Sequence, residues 1–149
     1  MKLRLSHVSF AVALAVHGVA HAHDTDSQTG PLGKVTFATS CDPKVQVSFE
    51  RAVAMLHSFW YSAGEQAFRD VLKADPSCAI ANWGIASILM SNPLAGQGAS
   101  PKGAETAQAA IDEGRRIGTR TERERDYIEA VAAYYQDFAK RPERERQIA

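Results

Sequence analysis

The chain has 149 residues, 17 basic and 17 acidic side chains, two cysteines and 45% apolar residues. That is enough apolar material for one globular domain and too much for a disordered tail. It excludes a disulfide-dense mini-protein, and a formal charge of zero gives no general electrostatic reason to bind nucleic acid.

The first segment reads as an address. Lys2 and Arg4 precede a short apolar run, Val8 to Val16, and Ala20-His21-Ala22 supplies the small-x-small pattern of a cleavage site. A membrane span needs about 20 apolar residues, and His17, His21 and His23 interrupt this one too soon. Residues 1–22 are therefore expected to be a signal peptide, cleaved after Ala22, so that the membrane is met only through the export signal. Cleavage removes two basic residues and no acidic one, leaving 15 basic against 17 acidic side chains. Residues 23–40 begin with the polar, Gly- and Pro-containing stretch His23 to Lys34 and are expected to be a flexible leader.

From Pro43 onward the apolar spacing is that of a helix. Val45, Phe49, Ala52, Val53, Leu56, Phe59 and Trp60 make one stripe, opened by Asp42 as cap and Pro43 in the first turn. A second helix is predicted over 62–74, with Ser62 and Glu65 at capping-box spacing and Gly64, Ala67, Phe68, Val71 and Leu72 facing inward. Asp75-Pro76 ends it and starts a third, to about Ser91. This one is apolar on two sides, with Ile80, Trp83, Ser87 and Met90 on one and Ala81, Ile85, Ile88 and Leu89 on the other. Residues 92–100 are a loop by composition.

Ser100-Pro101 restarts a helix with a small inner face of Ala104, Ala107, Ile111 and Gly114, ended by Gly118 in a left-handed C′ conformation. Thr121 and Glu124 form a second capping box. They open a fifth helix that buries Tyr127, Ile128, Val131, Tyr134, Tyr135 and Phe138. Pro142 opens a sixth, and the sequence stops at Ala149 after barely two turns, so further repeats are expected beyond it.

Asp42-Pro43 and Asp75-Pro76 lie 33 residues apart, each opening one helix pair. A period near 34 with two helices per unit marks tetratricopeptide repeats. Gly64, Phe68 and Pro76 match the second half of the repeat pattern, and Trp83, Ala86, Ser87 and Met90 the first half. Ser48 and Arg51 stand where Trp and Leu are usual. With His57-Ser58-Phe59-Trp60, the Asp-Pro turn and Trp83-Gly84, residues 41–149 resemble exported bacterial tetratricopeptide-repeat (TPR)-like proteins. The resemblance implies an all-α, TPR-like α-solenoid of stacked antiparallel helix hairpins, and no catalytic residue.

Cys41 and Cys78 each lie beside an Asp-Pro turn at the start of a unit. In an exported chain two such cysteines are expected to form a structural disulfide; two unpaired buried thiols are the alternative. Cleavage would leave His23 as the amino terminus, where amine and imidazole can chelate copper, but no Cys or His pair supports a metal site. His57 reads as a packing or interface residue. Phe59, Trp60, Tyr61 and Trp83 are core by spacing and candidates to line a peptide groove. Arg115, Arg116, Arg120, Arg123 and Arg125 alternate with Glu113, Glu122 and Glu124, the pattern of a solvated, ion-paired helix face rather than a nucleic-acid site.

No phosphate loop, catalytic triad or metalloprotease motif is present, and no cofactor is implied. The expectation is an exported scaffold, periplasmic or secreted, that binds a protein or peptide through its concave face. Two alternatives stand beside it: the helical front of a larger enzyme with its active site beyond Ala149, and metal handling by the mature amino terminus.

Overall fold

The computed structural model describes residues 32–96 and 98–148. The expected signal peptide (1–22) and His23 lie outside the described residues.

Among the described residues all regular structure is helical: α1 (Gln46–His57), α2 (Tyr61–Ala74), α3 (Ile80–Leu89), α4 (Pro101–Ile117), α5 (Glu122–Tyr135) and the short α6 (Glu143–Gln147). Single 3-10 turns sit at Pro43–Val45 and Pro93–Ala95. Helix α1 packs on α2 and α3, α2 on α3, and α3 in turn on α4 and α5, which pack on each other. No helix among the described residues is long and apolar enough to cross a membrane.

Helix α3 owes its central place to its two apolar sides. Ala81, Ile85 and Ile88 join Phe49, Val53, Phe68 and Val71 in one buried cluster, while Ala79 and Ala86 join Ala107, Ile111, Ile128, Val131, Tyr134 and Tyr135 in a second. Trp83 and Leu89 touch both. Ile80 departs from the side predicted for it and faces the first cluster. Full burial of a Phe or Ile side chain is worth about 1.5–3 kcal/mol, and Phe49, Phe68, Ile80, Ile85, Ile111 and Ile128 are all enclosed. Small residues set how closely the helices approach. A Cβ on Gly84 would overlap the Phe68 ring, and one on Gly64 would come within 2.7 Å of Ile88 Cδ1.

Several predicted boundaries are corrected by local chemistry. Helix α1 does not run on to Trp60: Ser58 closes it, Phe59 takes a positive φ of 61°, and the Phe59 ring is 52% exposed. The Ser62–Glu65 capping box does not form. Trp60 is the N-cap of α2 without a side-chain hydrogen bond, and Glu65 instead accepts from Arg69 one turn on. Helix α3 begins at Ile80, not Pro76, because Asp75 turns its carboxylate onto Ser77 and holds the 75–79 stretch as a turn. Gly118 has the positive φ that glycine tolerates (82°), but its ψ of 138° takes the chain out extended rather than left-handed.

Candidate functional site

The caps at Asp42, Ser100 and Thr121 work as their sequence suggests, accepting from the amides of Lys44, Gly103 and Glu124. The capping box at Thr121 is only half made, and what replaces its other half defines the site. The Glu124 side chain, 2% exposed, reaches away from Thr121 and accepts from the Ser40 amide (2.6 Å) and the Ser40 hydroxyl (2.5 Å), 84 residues earlier in the chain.

Residues 35–40 are therefore not the loose end of a leader, as the sequence suggested, but a strap lying across α1, α3 and α5. Its backbone has no regular secondary structure, so side chains from α1, α5 and the turn before α5 meet its polar groups. Glu50 on α1 accepts from the Phe37 amide (3.1 Å), and Gln46 Nε2 donates to the Phe37 carbonyl (2.7 Å). On the other flank Arg123 Nη1 donates to the Ala38 carbonyl (3.0 Å), and Arg120 Nη1 donates to the Ser40 carbonyl (3.1 Å). The Thr39 hydroxyl donates to Gln46 Oε1. Phe37 is buried, so its amide and carbonyl in particular need such substitutes, since a buried backbone group left unpaired costs about 1–3 kcal/mol.

The strap's one large side chain fills an aromatic saddle. The Phe37 ring is 8% exposed and lies 5.4 Å from Phe49 on α1, 5.4 Å from Trp83 on α3 and 5.1 Å from Tyr127 on α5, centroid to centroid. The Arg123 guanidinium covers it, 4.4 Å from the Phe37 centroid and 5.0 Å from that of Tyr127. A cation over a partly desolvated ring adds about 1 kcal/mol or more.

Cys41 follows the strap, and its sulfur is bonded to that of Cys78, with the Cα atoms 4.7 Å apart. Asp75 lies beside this bond, its Oδ2 accepting from the Asp42 amide and its Oδ1 from the Ser77 amide and hydroxyl. Burial alone would raise the Asp75 carboxyl, but those hydrogen bonds and the charge of Arg120 together hold it below the usual carboxylate range. Cys41, Asp75 and Cys78 are near enough together to resemble a metal-binding group. With the sulfurs bonded to each other and both carboxylate oxygens accepting hydrogen bonds, the group serves here as a knot that ties the strap to the start of α3.

Of Phe59, Trp60, Tyr61 and Trp83, the aromatics named as candidates to line a groove, Trp83 faces the strap. Phe59 and Tyr61 pack edge to face (6.2 Å) at the α1–α2 turn. His57 is exposed at the end of α1. The basic cluster divides in two. Arg115 forks onto Glu129 across the α4–α5 hairpin, and Arg116 and Arg125 pair with Glu113 and Glu122. Arg120 and Arg123 turn instead to the strap carbonyls. The residues that sequence reasoning missed are Phe37, Gln46, Glu50 and Glu124. The one local signal for them is Phe37, a lone aromatic in a polar stretch four residues before a cysteine.

No family model, no curated protein and no solved structure matches the chain.

Proposed function

We propose that the chain is an exported, TPR-like helical scaffold that docks a polypeptide segment in extended conformation. The alternating packing, α1 on α2 and α3 and then α3 on α4 and α5, supports a right-handed stack of helix hairpins, as does the 33-residue spacing of the Asp-Pro turns. In such a stack α1, α3 and α5 line the concave face. The disulfide accords with an oxidising compartment outside the cytosol. The reading assigns no catalytic role and takes a protein or peptide as partner.

One observation carries it. The α1/α3/α5 face already holds a non-helical stretch of polypeptide, meeting its main chain with Gln46, Glu50, Arg120, Arg123 and Glu124 and its aromatic side chain with a three-ring saddle. Beside the strap, Arg123, Asp126, Tyr127 and Ala130 line an open hollow that extends the same face. The test is in-cell photo-cross-linking in the native host, with benzoylphenylalanine at Asp126 on this face or at Gln66 on the exposed side of α2. The reading predicts polypeptide adducts from position 126 and none from 66. Absence of adducts, or equal adducts from both, contradicts it.

A further inference from the structure

We infer that residues 35–40 are a resident pseudo-ligand, and that the partner is a foreign extended segment with the strap's own chemistry: an aromatic residue followed, three positions on, by serine or threonine. The inference rests on the docking role proposed above and gives that role a ligand class.

The site fixes two positions by side chain, the Phe37 ring in the saddle and the Ser40 hydroxyl on Glu124 Oε2, and the stretch between them largely by backbone. The Ala38 side chain is exposed and its carbonyl alone is held, so this position carries no side-chain preference. At Thr39 one hydroxyl contact, to Gln46, adds a mild preference for a small polar residue. Backbone capture with a single deep side-chain pocket is how peptide-recognition surfaces combine affinity with a short motif.

The disulfide decides who the occupant is. It pins Cys41, the residue after the strap, to Cys78 of the same chain. The strap thus returns to its own saddle at an effective concentration on the order of millimolar. Exchange of straps between two copies would have to draw the segment away from an anchor one residue beyond its last contact, so a second copy is disfavoured and a separate polypeptide is the occupant. For a free peptide with a dissociation constant of about 100 µM at the open saddle, a millimolar resident competitor weakens apparent binding about tenfold. The strap therefore sets a threshold that only a longer or better-matched segment passes.

The test uses a synthetic peptide with the sequence of residues 34–40, blocked at both ends and labelled on its lysine, titrated by fluorescence anisotropy against the full chain. Against the Phe37→Ala variant, whose strap no longer fills the saddle, it is expected to bind at least about tenfold more tightly than against the unmodified chain. The Phe37→Leu variant should fall between. It is the deciding comparison if circular dichroism shows that Phe37→Ala does not fold. A peptide with alanine in place of its phenylalanine should lose binding, as should the Phe37→Leu chain carrying Arg123→Ala. Equal binding to variant and unmodified chains, or equal binding of the alanine peptide, overturns the inference. If that occurs while position 126 still cross-links to a polypeptide, the docking role stands and only the ligand class is wrong. If cross-linking fails as well, the role itself is refuted.

Discussion

Cutting the Cys41–Cys78 bond gives the most quantitative test of how the strap and the first repeat are tied together. The two residues are 37 positions apart in sequence. Closing a loop of that length removes about 13 cal/mol/K of entropy from the unfolded chain, or about 4 kcal/mol at 25 °C in the chain-entropy model. Domain stabilities are about 5–15 kcal/mol, so this is a large share. Cys78 is enclosed, and truncating its sulfur leaves a small void, which adds to the loss rather than offsetting it. The Asp75 hydrogen bonds to Asp42 and Ser77 remain, so the fold should survive without the bond. The assay is urea unfolding, followed by far-ultraviolet circular dichroism, of the oxidised chain, the dithiothreitol-reduced chain and the Cys41→Ala/Cys78→Ala chain. With a urea slope of about 2 kcal/mol/M, both altered forms should unfold about 2 M earlier. Coincident midpoints for oxidised and reduced protein would refute the reasoning, because the bond would then constrain nothing that unfolding releases.

Two further outcomes follow from single contacts. Gly84→Ala would gain about 1 kcal/mol from helix propensity at an exposed site. Here the new methyl overlaps the enclosed Phe68 ring, so overpacking of about 1–3 kcal/mol should win and the melting temperature should fall; a rise would contradict the close approach of α2 and α3. Asp75 is held below its ordinary range in the folded chain, so its contribution is present above the unfolded carboxyl's value, about 3.9, and is lost as pH falls through the lower folded value. The Asp75→Asn chain should therefore be less stable at pH 7 and lose less on acidification, the two unfolding curves converging in acid. Parallel curves down to pH 2 would contradict this.

Much of the helical framework was legible because its determinants are local. The small inner face Ala104, Ala107, Ile111 and Gly114 is buried as its spacing suggests, and the two-sided apolar coat of α3 does meet neighbours on both sides. Helix ends were harder to read. Phe59 continues the apolar period of α1 yet leaves the helix, because the chain reverses there into α2 through a positive φ that periodicity does not report. At Asp75-Pro76 the carboxylate serves the turn and the Asp42 amide rather than a helix beginning at Pro76. The strap was barely legible, Phe37 being its one local signal. Residues 35–40 are a short stretch, only half of it apolar, and the partners that fix them on α5 and in the turn before it lie 80 residues away or more. Glu124 looked fully explained by its capping-box spacing to Thr121, and that local explanation concealed its role at Ser40.

The most direct measurement of the central claim is amide hydrogen exchange by nuclear magnetic resonance at Phe37 and Ser40, whose N–H groups donate to Glu50 and Glu124. Exchange requires local opening of the segment. With the strap seated on α1, α3 and α5, both amides should exchange at least about tenfold more slowly than in an unstructured peptide of the same sequence. Exchange of both at the unstructured rate would mean that this face holds no segment of the chain, and the account built on it would fail.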